Sequence, residues 1–161
     1  MGYTSLTLNQ NNWVASKLSD GTIFTVNDIN DINNGLDGPT TIVNGNLTTI
    51  LTHTFDSPQF LNQIVINMTA ASNGCTTGTL QLSIDGLSYS TQEVISDLGD
   101  GNNIITITQP TIDPVKYKSF RFIFSDFDNS TNFQIDYIFA YIPDNLNEYS
   151  YKDYNVEFDD S

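Results

Sequence analysis

The chain has 161 residues, of which 39% are hydrophobic and 12% aromatic. That length suits one domain able to bury roughly 70% of the surface its unfolded form exposes, and the composition is too apolar for a disordered chain. Five Lys and Arg against nineteen Asp and Glu leave a formal charge of −14, which disfavours phosphate backbones and anionic lipid. We expect no nucleic-acid partner, and no membrane insertion, because no apolar run approaches the ~18 residues of a membrane span.

Short candidate strands follow one another along the chain, separated by Gly, Asn, Asp and Pro, while the helix formers Ala, Glu, Lys and Arg are scarce. The predicted strands are Ser5–Leu8, Trp13–Lys17, Thr22–Val26, Thr48–Phe55, Leu61–Thr69, Thr79–Ile84, Ser88–Ile95, Ile104–Thr108, Ser119–Ser125 and Phe133–Ile142. This number and spacing predict an all-β fold, an antiparallel β-sandwich.

One stretch, Thr79–Thr91, has the pattern of a hairpin. Leu80, Leu82 and Ile84 alternate with polar residues, which is typical of a strand with one buried face. The alternation stops at Asp85-Gly86, a pair that favours the positive φ angles of a two-residue turn. We predict a hairpin at the centre of the domain.

Two later strands have aromatic faces. In Ser119–Ser125 three phenylalanines share one side. In Phe133–Ile142 a continuous alternation places Phe133, Ile135, Tyr137, Phe139 and Tyr141 together. Both faces are predicted to be walls of the core. The other face of the last strand carries Ile138, Ala140 and Ile142, so this strand is expected to be covered on both sides for part of its length.

The region Asn27–Asn46 is dense in turn residues and is predicted to be an irregular loop. Its oxygen-bearing side chains suit calcium, which accepts carboxylate, amide and carbonyl ligands. The candidates are Asp28, Asn30, Asp31, Asn33 and Asp37. Their spacing does not match an EF-hand, and a purely turn-forming role is the alternative.

No catalytic constellation is present in the sequence. His53 is the one histidine and lies within a predicted strand, where we expect it to be solvated or hydrogen-bonded. Cys75 is the one cysteine, so no disulfide within the chain can form, and a buried structural thiol is expected. Most of the acids are aspartates in turn contexts, for example Asp20, Asp37, Asp85 and Asp100, each of which precedes a glycine, and turn formation explains them. The chain is predicted not to be an enzyme.

The predicted domain covers residues 1–143, and residues 144–161 form an acidic segment beyond the last strand. This segment carries Tyr149, Tyr151, Tyr154 and Phe158. Aromatic residues of this kind are favoured at interfaces. The segment is therefore either a frayed tail or an arm that docks onto a partner protein.

The order of several motifs resembles the galactose-binding-like jelly rolls, the superfamily of discoidin domains and several carbohydrate-binding modules. The matching pieces are Asp37-Gly38-Pro39-Thr40, FDSP at Phe55–Pro58, SIDGLSYS at Ser83–Ser90, YKSFRFIF at Tyr117–Phe124 and the closing strand Ile135–Ile142. The resemblance covers about two thirds of the chain.

This resemblance implies a non-catalytic β-sandwich whose loops at one end bind a glycan, lipid headgroup or protein. It also implies a structural calcium near the early loop, for which Asp31 and Asp37 are the candidates. Arg121 corresponds to a strand arginine that such domains use structurally. The cysteine pair that closes many discoidin domains is missing.

Two functions are consistent with these features. The first is a structural or attachment module of a virus or phage particle, such as a capsid decoration, head fibre, tail or baseplate component, bound to other virion proteins or to itself. It is favoured because residues 1–10 lack a secretory signal and because Asn, Thr and Ile are abundant while Lys and Arg are few. The alternative is a stand-alone, lectin-like carbohydrate-binding module, extracellular or on a cell surface.

Overall fold

The computed structural model describes residues 3–33, 39–68, 75–99, 101–110, 112–127 and 133–143. Twelve strands lie within these ranges. They are β1 (Tyr3–Ser5), β2 (Trp13–Lys17), β3 (Thr25–Asn27), β4 (Thr40–Val43), β5 (Thr49–Phe60), β6 (Gln63–Met68), β7 (Thr77–Ser83), β8 (Ser90–Ile95), β9 (Gly101–Thr106), β10 (Lys116–Ser125), β11 (Phe133–Ile135) and β12 (Tyr137–Pro143). The helical elements among these residues are two 3-10 helices, Gln10–Asn12 and Ile29–Asn33. Neither has the length of a membrane span, and no described helix does.

The strands form three antiparallel sheets. A five-stranded sheet has the order β2-β5-β10-β7-β8, a four-stranded sheet the order β1-β12-β6-β9, and a small sheet the order β11-β4-β3. Inner residues of both larger sheets belong to one hydrophobic cluster, for example Phe122 of β10 and Ile64 of β6. The chain is therefore a β-sandwich, as the sequence predicts.

β10 is the centre of the five-stranded sheet, between β5 and β7. Its inner face carries Phe120, Phe122 and Phe124, each at most 1% exposed, and the three rings contact one another in sequence. The prediction that these phenylalanines form a core wall is confirmed. The hairpin of β7 and β8 lies at the edge of this sheet instead, so its predicted central position is wrong.

The last predicted strand is interrupted at Asp136. β11 pairs with β4, whereas β12 pairs with β6 and β1, so the chain passes from one sheet to another at this residue. The inner side chains are Ile135 before the break and Ile138 and Ala140 after it, all fully buried. The prediction that Tyr137, Phe139 and Tyr141 belong to the core wall is therefore wrong, whereas burial on both sides of part of the strand agrees with the sequence pattern. Tyr137, Phe139 and Tyr141 form a half-buried aromatic row on the outer side of β12.

The region predicted to be an irregular loop contains ordered elements. The 3-10 helix Ile29–Asn33 places Ile32 in the core with no exposed surface, and β4 follows it. Asp28 has a φ of 58°, and its carbonyl oxygen accepts a hydrogen bond from the Thr40 hydroxyl at 2.8 Å. This bond joins the start of the helix to the start of β4.

Candidate functional site

Two clefts open at the same end of the sandwich, where β5 and β7 end and β8 and β10 begin. The first, which we call the tyrosine cleft, has a volume of about 470 Å³. The second, the polar cleft, has a volume of about 310 Å³. They adjoin each other, because Tyr117 of the tyrosine cleft is the direct cross-strand partner of Gln59 of the polar cleft.

A large irregularity in β5 creates this end of the molecule. Tyr117 pairs with Gln59, but Ser119, two residues later, pairs with Thr54. β5 thus has extra residues between Thr54 and Gln59 that have no partner position on β10, as in a bulge. Pro58 lies in this segment, where the absence of a backbone donor costs nothing. The bulge turns Asp56 and its neighbours toward the polar cleft.

The tyrosine cleft has mostly apolar walls and a few hydroxyl groups. It is lined by Leu82, Ile84, Asp85, Ser88, Tyr89, Ser90, Val115 and Tyr117. Burial raises the pKa of the Tyr117 phenol above its ordinary value, so the group is protonated at neutral pH. Apolar and aromatic walls with a few placed polar groups are typical of small-molecule sites.

Asp85 belongs to this cleft, but its carboxylate is engaged in the turn. Oδ1 accepts hydrogen bonds from the backbone N–H groups of Leu87 at 2.8 Å and Ser88 at 2.9 Å. These bonds hold the pKa of Asp85 below its ordinary value. The predicted turn role is confirmed, although the turn is longer than two residues, because the β7–β8 ladder ends at the pair Leu82 and Ser90. Gly86, with a φ of 82°, supplies the required conformation.

Arg121 supports the tyrosine cleft from the outer side of the sheet. Its guanidinium carbon lies 3.9 Å from the centre of the Tyr89 ring, and its Nε donates to Gln81 Oε1 at 2.7 Å. These contacts fix the Tyr89 ring through a cation–π interaction. The arginine has a structural position, as the resemblance implies.

A chain of hydrogen bonds connects Tyr89 to the polar cleft. The Ser119 hydroxyl donates to the backbone carbonyl of His53 at 2.8 Å. Since a serine has one hydroxyl proton, the Tyr89 hydroxyl is the donor to Ser119 Oγ, also at 2.8 Å. The positions of the two clefts are thereby fixed relative to each other.

The polar cleft is lined by the residues after β1, the first 3-10 helix and the β5 bulge. These are Leu6, Thr7, Asn9, Asn12, His53, Phe55, Asp56, Ser57 and Gln59. Asn12 Nδ2 donates to Asp56 Oδ1 at 3.2 Å, and Lys118 Nζ donates to the backbone carbonyl of Asp56 at 2.8 Å. The two contacts hold the bulge against the N-terminal segment and the neighbouring strand.

His53 forms the floor of the polar cleft and is 1% exposed. Its ring lies 4.8 Å from those of Trp13 and Phe55 and stacks on Phe120 at 5.5 Å. Burial lowers its pKa from 6.5 to about 4, against the opposing effects of the Asn9 carbonyl and the Asp56 carboxylate. Neither ring nitrogen makes a hydrogen bond of full geometry, although the Asn9 backbone carbonyl lies close enough to the ring to raise the pKa. The prediction of a solvated histidine is wrong, because the residue faces the core between Leu51 and Phe55.

The calcium prediction rests on residues that the structure describes only in part. Asp37 lies outside the described residues, and only the backbone of Asp31 is described, in the second 3-10 helix. Asn33 Oδ1 accepts a hydrogen bond from the Trp13 indole at 3.0 Å, which occupies one of the candidate oxygens. The described residues contain no group of three or more acids, histidines or cysteines able to hold a metal ion. Calcium at Asp31 and Asp37 stays a prediction.

The predicted docking residues Tyr149, Tyr151, Tyr154 and Phe158 lie outside the described part of the chain. Cys75 lies within it and is 3% exposed, with its thiol donating to the Ser125 carbonyl at 3.3 Å. Burial raises the pKa of this thiol to about 11. The expected burial of this cysteine is confirmed.

Sequence reasoning missed both clefts. Asn9, Asn12 and Asp56 gave no signal, because the bulge and the N-terminal turn that bring them together cannot be derived from local pattern. The alternation of Leu51, His53 and Phe55 did contain a signal, since it puts the imidazole on the core face.

No protein-family model matches the sequence, and no curated protein sequence matches it. Solved structures do. The chain is similar to chitosan-binding module 1 of a chitosanase/glucanase from Paenibacillus sp. IK-5, with a TM-score of 0.63, 17% identity, and coverage of 86% of this chain and 99% of that one. It is also similar to the family 32 carbohydrate-binding module of Streptococcus pneumoniae EndoD, with a TM-score of 0.60, 13% identity, and coverage of 87% and 100%.

A third similar structure is the family 32 module of Clostridium perfringens NanJ in complex with galactose, with a TM-score of 0.54, 14% identity, and coverage of 88% and 100%. The fold is a jelly-roll β-sandwich like that of these modules. At these identities the likeness establishes the fold, as the sequence resemblance predicts, and the ligand has to be argued from this chain's own residues. Some similar structures join such a module to an enzyme domain, as in truncated AlyQ with its alginate lyase domain.

Proposed function

We propose that this protein is a non-catalytic carbohydrate-binding module that holds a sugar in the tyrosine cleft. The observation that carries the proposal is the combination of this cleft with a fold shared by carbohydrate-binding modules. A pyranose has apolar C–H faces and a rim of hydroxyls. The cleft matches both, with Leu82, Val115 and Tyr117 as apolar walls and Ser88 and Ser90 at its edge.

The contacts within the cleft favour binding over catalysis. Asp85 is the one carboxylate among the described lining residues of the tyrosine cleft, and the turn already occupies its Oδ1. Glycoside hydrolysis requires two carboxyl groups on opposite sides of the scissile bond. The role of the cleft is therefore retention of a sugar chain.

The role in a virus or phage particle, predicted from composition, finds no support among the similar structures. Carbohydrate binding is the better supported of the two functions. A glycan outside the cell or on a cell surface is the corresponding partner.

The proposal is tested with a glycan array, followed by isothermal titration of galactose and of the best array ligand. Ser90→Trp places an indole in the cleft and is expected to weaken binding at least tenfold. Val94→Trp is the matched control, because Val94 is an exposed residue of the same strand that pairs with Thr79, at the end of β8 away from the cleft. It is expected to bind like the natural chain.

Two results would contradict the proposal. Absence of binding to every array glycan by the folded protein would exclude the function. Equal binding by the Ser90→Trp variant and the natural chain would exclude the tyrosine cleft as the site.

A further inference from the structure

The imidazole of His53 is the most unusual polar group in the described part of the molecule. It is almost fully buried, it lines the polar cleft, and neither of its nitrogens makes a hydrogen bond of full geometry, although the Asn9 backbone carbonyl lies near the ring. A buried polar group without a partner costs free energy, and such groups in native structures call for an explanation. A ligand in the cleft would supply the missing partner.

Several polar groups of the polar cleft offer hydrogen-bond acceptors. Asp56 contributes a carboxylate, of which only Oδ1 is bound, by Asn12. Gln59 directs its Nε2 donor to the Ser57 carbonyl at 3.2 Å, which leaves its Oε1 as an acceptor. Two amide donors of the cleft are therefore already used within the protein.

Charge also favours a cationic ligand. The chain has a net charge of −14, and Asp56 is close enough to His53 to favour protonation of its ring. Burial keeps the imidazole neutral at physiological pH, so it offers a lone pair without repelling a cation. Lys118 is a basic group at this site, but its Nζ binds the backbone carbonyl of Asp56 and forms no ion pair with the carboxylate.

We propose that the polar cleft binds a protonated primary amine, with His53, Asp56 and Gln59 as its acceptors. An ammonium group carries three donors and no acceptor, which complements this set. The inference rests on the proposed function, which makes a deacetylated amino sugar the source of the amine. The adjoining tyrosine cleft would then hold a neighbouring unit of the same glycan.

The test compares a glucosamine oligomer with the N-acetylglucosamine oligomer of equal length, at a pH where the amine is protonated. A hydrogen bond to a charged group is worth enough to make the deacetylated oligomer bind about tenfold more tightly. Asp56→Asn is expected to remove this preference. Asp97→Asn, which makes the same charge change at an exposed position at the opposite end of the sandwich, is expected to keep it.

A second measurement reports on the imidazole itself. Because the chain has one histidine, the side-chain ¹⁵N signals in a histidine-labelled sample all belong to His53. Glucosamine oligomers are expected to shift one of them by forming a hydrogen bond to the ring. This readout does not require a variant to fold.

The outcomes separate the two proposals. Neutral sugar binding that Ser90→Trp abolishes, with no amine preference and no His53 shift, would overturn this inference and leave the proposed function intact. No binding of any glycan would overturn both. An equal affinity and an equal His53 shift with a lysine oligopeptide would overturn the assignment of the amine to a glycan.

Discussion

At the scale of single residues, His53 illustrates how position dominates over chemical type. Its neighbours along the inner face of β5, Leu51 and Phe55, are both buried, and the imidazole is enclosed by aromatic rings with them. The chemistry of histidine predicted solvent or a hydrogen bond, while the period-two pattern of the strand predicted burial. The strand pattern therefore predicted the burial of His53 correctly. What it could not indicate is that neither nitrogen would make a hydrogen bond of full geometry.

The lowered pKa of His53 predicts a pH dependence of stability. The unfolded state takes up a proton near pH 6.5, whereas the folded state does so only near pH 4. The contribution of neutral His53 to the free energy of unfolding is fully present above pH 6.5 and is lost as the pH falls toward 4. From pH 6.5 to 4 the loss amounts to about 3 kcal/mol, at ~1.4 kcal/mol for each unit of pKa. Urea unfolding of the natural chain and of His53→Gln, followed across this range, should show the difference.

The comparison with His53→Gln is essential because many carboxylates titrate in the same region. Their protonation also lowers the self-repulsion of a chain with a charge of −14. These effects are shared by both proteins and cancel in the difference. Independently, the ring C–H proton signal of His53 should titrate with a midpoint near 4. A midpoint near 6.5 would show that the ring is solvated and would contradict the prediction.

At the scale of elements, β12 shows where a sequence pattern misleads. Hydrophobic residues alternate without interruption from Phe133 to Tyr141, yet the chain changes sheets at Asp136. The backbone N–H of Asp136 donates to the Asn67 carbonyl at 2.9 Å. The pairing after this residue places Ile138 and Ala140 inward. A period-two pattern with apolar residues on both faces cannot determine which face is buried.

Because Ile138 faces the core and Phe139 faces outward, replacing these two adjacent residues with alanine is predicted to lower the free energy of unfolding by different amounts. Ile138 has no exposed surface, and replacing it with alanine should cost about 2–5 kcal/mol through the cavity it leaves. Phe139 is half-buried on the outer face, beside Val65 of β6, and Phe139→Ala should cost less. The free energies of unfolding in urea give the comparison. A larger loss for Phe139→Ala than for Ile138→Ala would contradict the assigned register.

Other elements were predictable to different degrees. β2 was predicted residue for residue at Trp13–Lys17, since its alternation and its bounding turn residues are unambiguous. β5 continues five residues beyond its predicted end at Phe55, through Pro58, because its bulge accommodates a proline. β4 was missed because four residues of the sequence TTIV, set among turn formers, give too short a pattern.

At the scale of the whole molecule, the order of degenerate motifs was more informative than any one of them. The structure places all three motifs in one sandwich: FDSP lies in the β5 bulge, SIDGLSYS in the β7–β8 turn and SFRFIF in the central strand β10. That order predicted the fold. The clefts depend on contacts between segments distant in sequence, such as Asn12 with Asp56 and Tyr89 with Ser119, which no local pattern specifies.

The boundary predicted at residue 143 leads to the last test. All strands of the described structure lie between Tyr3 and Pro143, and these two residues are partners at the end of β1 and β12. Residues 144–161 contain six acids and one lysine, so their deletion changes the formal charge from −14 to −9. Less self-repulsion should offset the loss of any weak contacts. We expect deletion of 144–161 to shift the melting temperature by less than about 3 °C.

Both clefts should also survive this deletion, because the lining residues that the structure describes end at Tyr117. The shortened chain is therefore expected to bind the same glycans with unchanged affinity in isothermal titration. Deletion of 137–161, which also removes β12, is the contrasting variant and should abolish cooperative unfolding, since β6 and β1 lose their common neighbour. A large drop in melting temperature for the 144–161 deletion would instead assign the acidic segment to the fold itself.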